Sequence, residues 1–230
     1  MDLKVLYEDN QIIVVEKPAN IPTQGDKTGD KDMLTIVKEY IKVKYNKPGN
    51  VYIGLVHRLD RPVGGVMVFA RTSKAASRLS EQVRNKTFSK EYLAIVSGKM
   101  ENANGSLEDY LWKNEKTNTS YVVKETKKNA KLAKLKYETI KYFEKENLSI
   151  LKVDLETGRH HQIRVQLSNQ MHAIYGDVKY HGRSSNDNLY LWAYKLSIVH
   201  PVSKEKMTFI DLPEYVGKWD LLTEIDKNKL

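Results

Sequence analysis

Two short segments gather the side chains that could do chemistry. One is His57-Arg58-Leu59-Asp60, running into Arg61-Pro62 and the pair Gly64-Gly65; the other is Gly158-Arg159-His160-His161-Gln162-Ile163-Arg164. The first offers a carboxylate where Pro62, Gly64 and Gly65 demand a turn, so that backbone constraint can aim it. The second, at an expected helix start, offers backbone N–H groups, the positive end of a helix dipole and two guanidinium groups, all suited to anions. Taken alone, an Asp before a Pro-containing turn is more often a turn residue or an ion-pair partner than a nucleophile, so residue types by themselves leave the chemistry open. The arginines sharpen the contrast with the rest of the chain. Of 38 cationic residues thirty are Lys and eight are Arg, and four of the eight, Arg58, Arg61, Arg159 and Arg164, fall in these two segments. A guanidinium presents a planar fork to carboxylate or phosphate that an ammonium cannot reproduce.

Several chemistries are excluded by inspection. There is no phosphate-loop pattern, no GxGxxG, no HExxH and no GxSxG, so nucleotide hydrolysis and hydride transfer lose support. The six His residues match no standard metal-site spacing, and His160 and His161 are expected to point from diverging helix faces, so no metal is expected. The absence of cysteine removes disulfides, thiolate catalysis and cysteine-based metal sites, and fits a reducing cytoplasm. No charged leader precedes an apolar stretch and no apolar run reaches eighteen residues, so neither secretion nor a membrane span is expected. A net charge of +9 favours a polyanionic partner, with nucleic acid the natural candidate.

The elements that must position the two segments follow from periodicity. Val5–Leu6 and Ile12–Val15 read as strands around the turn at Glu8-Asp9-Asn10, the second ended by Lys17-Pro18. Asp32 caps a helix carrying Leu34, Val37 and Ile41, stopped at Asn46-Lys47-Pro48-Gly49. Tyr52–Val56 and Val66–Ala70 read as buried strands flanking the Asp60 loop; Ser73 caps a helix with Ala76, Leu79 and Val83 on one face, and Tyr92–Val96 returns as a strand. Hairpin strands, including Tyr121–Val123 and Leu135–Ile140, flank a Lys-rich stretch from Lys124 to Lys136; a strand through Ile150, Val153 and Leu155, a short helix after Gly158 and a strand Leu189–Val199 precede a polar tail. The expected fold is α+β, a single domain over residues 1–230 around a mixed, mainly antiparallel sheet with flanking helices and loops.

These segments and their surroundings resemble the pseudouridine synthase family that modifies ribosomal and transfer RNA, of the ribosomal large subunit and tRNA type. VLYEDNQIIVVEKPANIPTQ resembles its opening strand pair, HRLDRPVGGVMVFART the loop of its catalytic Asp, and KEYLAIVSG the strand that follows. TGRHHQIRVQLSNQMHAIYGD resembles its second signature and LWAYKLSIVHPVSKEKMTF its closing strands, in collinear order over nearly the whole chain. Val63 and Gly64 stand where many members have Thr and Ser, and His160 where Thr is usual. The chain is expected to begin directly with the catalytic domain, without the small N-terminal S4-like RNA-binding domain of several relatives.

The resemblance implies a cofactor-free isomerisation of uridine in rRNA or tRNA. The N1–C1′ bond breaks, the uracil turns, and C5 joins C1′, which calls for an ionised carboxylate shielded from water. That carboxylate is Asp60. Arg164 is the cation that keeps it charged, and Tyr92 stacks on the target uracil and assists proton movement. The target base must flip out. Arg58 fills the gap, while Arg159 and the Lys-rich stretch hold flanking phosphates. His57, Arg61 and His161, lying in the same two segments, complete the expected RNA-contacting set. A monomer is expected. The competing reading is a catalytically silent RNA-binding or ribosome-assembly protein on the same fold.

Overall fold

The computed structural model describes residues 2–182 and 189–226. In chain order the elements are β1 (Val5–Glu8), β2 (Ile12–Lys17), α1 (Met33–Lys44), β3 (Gly54–Leu55), β4 (Gly64–Ala70), α2 (Ser73–Arg84), β5 (Ser89–Ser97) and β6 (Asn104–Asn114). There follow β7 (Thr119–Val123), β8 (Lys131–Phe143), β9 (Leu148–Leu155), α3 (Gln162–Asn169), a 3-10 turn Val178–Tyr180, β10 (Leu191–Val199), β11 (Lys206–Ile210) and a 3-10 helix Gly217–Glu224. The arrangement is α+β. The chain divides into two compact units, Met1–Lys90 with Ala193–Leu212, and Glu91–Trp192 with Pro213–Leu230. The last residues of the expected polar tail, 227–230, lie outside the described residues. No described helix is long and apolar enough to cross a membrane.

In the first unit the order is β1-β2-β4-β10, with β3 also on β4 and β11 on β10. The pairings β1–β2, β2–β4, β3–β4 and β10–β11 are all antiparallel. Every residue of β4 is buried, as its unbroken apolar run requires of a central strand covered on both faces. On one face Ile12, Val14, Val66, Val68 and Ala70 form a core with Ala75 and Leu79 of α2. The cap of α2 is Thr72, one residue before the expected Ser73, because it is the Thr72 hydroxyl that accepts the N–H of Ala75. Asp32 caps α1 as expected, accepting from the N–H of Thr35. The expected strand Tyr52–Val56 shrinks to Gly54–Leu55. β2 already occupies one edge of β4, so β3 must share the other with β10 and pairs only at Phe69 and Ala70. Gly65 sits at φ +121°, and a Cβ there would lie 2.2 Å from the carbonyl oxygen of Ala193, so both conformation and space demand glycine.

In the second unit the order is β5-β9-β8-β6-β7, antiparallel throughout. Helix α3 covers one face, where Val165 packs with Leu111, Ala133 and Tyr180. The Gln166 amide reinforces this contact, donating to Asp109 of β6 at 2.7 Å. α3 begins at Gln162, four residues after Gly158, because His161 takes a left-handed conformation (φ 53°) that no helix can contain. His160 and His161 therefore precede the helix. Their rings do not diverge as expected but stack, with centroids 3.7 Å apart.

Candidate active site

In the first unit the residues 57–60 alternate between inside and outside. His57 and Leu59 are buried, Arg58 is exposed and Asp60 is partly exposed, the pattern of an extended segment lying over a core. What holds it is mostly main chain. The Thr23 hydroxyl donates to the Leu59 carbonyl at 2.9 Å and accepts the Leu59 N–H. His57, expected at the RNA surface, lies beneath the segment instead: its Nε2 accepts the N–H of Val68 at 3.1 Å and its ring meets the Phe88 ring edge-on. Burial, with Lys90 adding to it, pushes the His57 imidazole down to about 3, so the ring is neutral with its proton on Nδ1. The Val63 N–H closes a turn onto the Asp60 carbonyl.

Beneath that turn lies a residue that sequence reading did not single out. The Lys17 side chain is fully buried, and its ammonium donates to the carbonyls of Pro18 (3.0 Å), Arg61 (3.0 Å) and Val63 (2.7 Å). Burial pulls Lys17 down to about 7, opposed by the charge of Asp60 and aided by that of Arg61. Three carbonyl acceptors need three N–H donors, which only the ammonium has, so the hydrogen bonds favour the charged form against burial. A signal for this existed: Lys17 shares a strand face with Ile13 and Val15, both wholly buried. Because Val63 gives Lys17 only its carbonyl, the departure from Thr at that position leaves this contact untouched.

The two arginines of this region differ. Arg61 is bound into the loop at 26–30, donating to the Thr28 hydroxyl at 3.0 Å and pairing with Asp30 and, at 3.6 Å, Asp26. These acids raise the Arg61 guanidinium above its ordinary value. Arg58 is exposed, and among the described residues no hydrogen bond or ion pair engages it.

In the second unit, register places Tyr92. Tyr92 pairs with Val153, Val153 with Tyr137, and Tyr137 with Gly105, which lies on the Leu107, Asp109 and Leu111 face of β6. That is the face covered by α3, so Tyr92 and Arg164 belong to the same side of one sheet, both buried, at 5% and 6% exposure. The Arg164 guanidinium is gripped side-on by Asp177, Nε and Nη2 each donating to one carboxylate oxygen at 2.8 Å. Its Cζ lies 5.2 Å from the centroid of the Tyr180 ring. The Tyr180 hydroxyl accepts the Ser120 N–H and meets His161 Nδ1, both at 2.8 Å.

His161, another expected RNA contact, is thus 91% covered and engaged with Tyr180. Burial, with the charge of Arg164, lowers its imidazole to about 2; it is neutral, and Nδ1 accepts the Tyr180 proton. His160 is lowered to about 4, chiefly by burial and then by Lys113, and its Nδ1 meets the Ser120 hydroxyl at 2.9 Å. Gln162 ties the segment to β8, accepting from Thr157 and the Arg159 N–H while donating to the Lys134 carbonyl. At the start of α3 the Gln162 N–H donates to the Arg159 carbonyl and no side chain caps the helix, while the Arg159 N–H before it is taken by Gln162. Arg159 is exposed and gives its Nε to the Leu132 carbonyl at 2.8 Å. Within the Lys-rich stretch, Lys134 and Lys136 pair with Glu108 and Glu156. Among the described residues no group of three or more His, Asp or Glu is placed to hold a metal ion.

A family model described as RNA pseudouridylate synthase matches residues 11–169. An "Uncharacterized RNA pseudouridine synthase YhcT" of Bacillus subtilis is 32% identical over 206 residues, covering 89% of this chain and 66% of that one. A "Ribosomal large subunit pseudouridine synthase D" of Nitrosomonas europaea is 33% identical over 215 residues, covering 87% of this chain and 59% of that one. The chain thus spans about two thirds of the length of such curated relatives. Among solved structures, "Human RNA Pseudouridylate Synthase Domain Containing 4" matches with a TM-score of 0.77 at 21% identity, covering 92% of this chain and 89% of that one, a likeness of fold.

Proposed function

Since the chain belongs to the RNA pseudouridylate synthase family, we propose that it isomerises specific uridines of ribosomal or transfer RNA to pseudouridine, with Asp60 as the catalytic carboxylate. The observation that carries this reading is the construction beneath Asp60: a fully buried Lys17 donating to the carbonyls on either side of Pro62, with Thr23 and His57 fixing the residues before it. A carboxylate that only caps a turn needs no such support, whereas one that must meet C1′ or C6 of a bound nucleotide does.

The reaction needs no cofactor, because oxidation state is unchanged and the uracil leaves and returns through the same ring. Asp60 acts on the sugar or base while the N1–C1′ bond breaks, and C5 then joins C1′, releasing the C5 hydrogen. Tyr92 offers a ring to stack on the uracil and a hydroxyl to move a proton. By the family resemblance Arg164 is the permanent cation that keeps the catalytic carboxylate ionised, a task a guanidinium performs at any physiological pH. Extruding the target nucleotide costs a few kcal/mol, least in a loop or bulge. Arg58, exposed and without a hydrogen bond or ion pair among the described residues, is the residue to enter the vacated stack, and Arg159 with the Lys-rich stretch from Lys124 to Lys136 takes flanking phosphates. We place the protein in the cytoplasm, acting as a monomer.

The test is tritium release from rRNA and tRNA labelled at uridine C5, with wild type and Asp60→Ala side by side. Release by wild type and none by a folded Asp60→Ala that still binds RNA is the expected result. Turnover by the mutant removes Asp60 from the reaction. Tight RNA binding without release by wild type across a full rRNA and tRNA panel instead makes this a binding protein.

A further inference from the structure

Arg164 is asked to do something an ordinary cation could not, and the second unit surrounds it accordingly. Its guanidinium is engaged from two directions. Asp177 takes Nε and Nη2 in one bidentate contact at 2.8 Å, and Cζ lies over the Tyr180 ring, 5.2 Å from its centroid. Neither partner can drift. Asp177 is 2% exposed, its N–H donates to the Ile174 carbonyl, and its own carbonyl accepts the N–H groups of Tyr180 and Gly182. Gly182 closes that turn so tightly that a Cβ would sit 2.2 Å from the Ile174 carbonyl oxygen. Tyr180 is held at its hydroxyl by the Ser120 N–H and His161, and at its carbonyl by the Ser168 hydroxyl at 2.7 Å.

We propose that Asp177 and Tyr180 are positioning residues for the isomerisation, a carboxylate-and-ring clamp that fixes the orientation of the Arg164 guanidinium. The inference rests on the reading of Arg164 as part of the reacting site. A simple buried ion pair would need only opposite charges in contact. Here the carboxylate engages the one edge of the guanidinium that includes Nε, which stops rotation about the Nε–Cζ bond. The Tyr180 ring, under Cζ at 5.2 Å, adds a cation–π attraction that favours the same placement of the group. Orientation matters because a displacement of about 1 Å at a reacting group can cost on the order of a hundredfold in rate.

Two measurements on the full chain test the clamp independently. The first is single-turnover pseudouridine formation at saturating RNA, well below the melting temperature of each variant, for Asp177→Asn, Tyr180→Phe, Arg164→Lys and the double variant Asp177→Asn/Arg164→Lys. Asp177→Asn is expected to slow the step roughly 30-fold with RNA affinity changed less than about threefold. In the Arg164→Lys background the same substitution is expected to cost less than about threefold, because the group it positions is already gone. Tyr180→Phe, which keeps the ring but releases His161 and Ser120, should fall between. The second is the side-chain NMR signal of Arg164 Nε–H: protected and rotationally restricted in wild type, averaged in Asp177→Asn.

Normal rate and an unchanged Arg164 signal in Asp177→Asn overturn the clamp. So does a rate loss that simply multiplies with that of Arg164→Lys, since Asp177 then supports the fold at large. If wild type makes no pseudouridine while Asp177→Asn still frees the Arg164 signal, the clamp holds Arg164 as described and it is the catalytic reading of Arg164 that falls.

Discussion

The loop carrying Asp60 and the segment carrying Arg164 are held in opposite ways. In the first, the contacts run to the backbone: Lys17 to three carbonyls, Thr23 to both the N–H and the carbonyl of Leu59, Val63 to the Asp60 carbonyl. In the second, side chains also grip one another directly: Asp177 to Arg164, Tyr180 to His161, Gln162 to Thr157. A loop fixed through its carbonyls tolerates changes in its own side chains, which accounts for Val63 standing where Thr is usual. A segment fixed through side chains is sensitive to each of them.

That contrast can be broken most decisively at Lys17. Lys17→Met removes the donor from three carbonyls in the interior, and acceptors left without partners cost about 1–3 kcal/mol each before relaxation. Part is recovered, because the ammonium no longer has to be buried. A net loss of about 2–4 kcal/mol is expected in urea unfolding, with RNA turnover lost as well. Stability within error of wild type would mean that the loop stands without its buried cation, and the distinction between the two regions would go with it.

Next in size is Arg164→Lys. The charge survives, but an ammonium cannot engage both Asp177 oxygens side-on while keeping a fixed plane. The rate is expected to fall on the order of a hundredfold with little change in RNA affinity. Near-normal kinetics would show that this segment needs only a charge and would move Arg164 to the phosphate-binding residues.

Acid sharpens the comparison, because each region contains a buried neutral histidine. His57 is lowered to about 3 and His161 to about 2, both mainly by burial. An unfolded histidine takes up its proton near pH 6.5 and these folded ones do not, so the unfolded state binds more protons below that pH. The stability of keeping them neutral is therefore complete above about pH 6.5 and is lost as pH falls towards 3. Between pH 6.5 and 5 the loss is expected to reach up to about 2 kcal/mol per histidine. Urea titrations of wild type, His57→Gln and His161→Gln at pH 7.5, 6 and 5 check it; each variant should show a shallower decline than wild type. A decline as steep as wild type in His57→Gln would assign the acid sensitivity elsewhere.

Much of this was legible in the chain. The strands through Ile12–Val15 and Val66–Ala70 announce themselves as unbroken apolar runs, and Asp32 as a cap three residues before Thr35. The site segments stood out by their arginines. What stayed hidden was whatever depended on partners distant in sequence. Lys17 looks like any surface lysine at a strand end until the carbonyls of Arg61 and Val63, more than forty residues away, are brought over it. Asp177 ends a stretch whose likeness to the family was plain and Tyr180 lies three residues beyond it, but the role of either required Arg164 to be seen against them. His57 and His161 were expected to contact RNA because they lie in the two site segments, whereas both are buried, one against Phe88 and the other against Tyr180.

The smallest effect concerns the two arginines that flank Asp60 in sequence and part company in structure. Arg61 is engaged by Asp30, Asp26 and Thr28, while Arg58 is exposed. An arginine that contacts a phosphate contributes about one unit to the slope of log affinity against log salt. Arg61, neutralised by acids of its own chain, should contribute none, so Arg61→Ala is expected to leave both that slope and RNA turnover near wild type, with no measurable change in stability because its ion pairs are open to water. Arg58→Ala should leave stability equally untouched but slow turnover, since Arg58 is the residue proposed to occupy the vacated stack. A slope reduced by about one unit in Arg61→Ala would mean that RNA draws Arg61 away from Asp30. The loop at 26–30 would then be part of the RNA surface and the Asp60 region no longer held by its backbone alone.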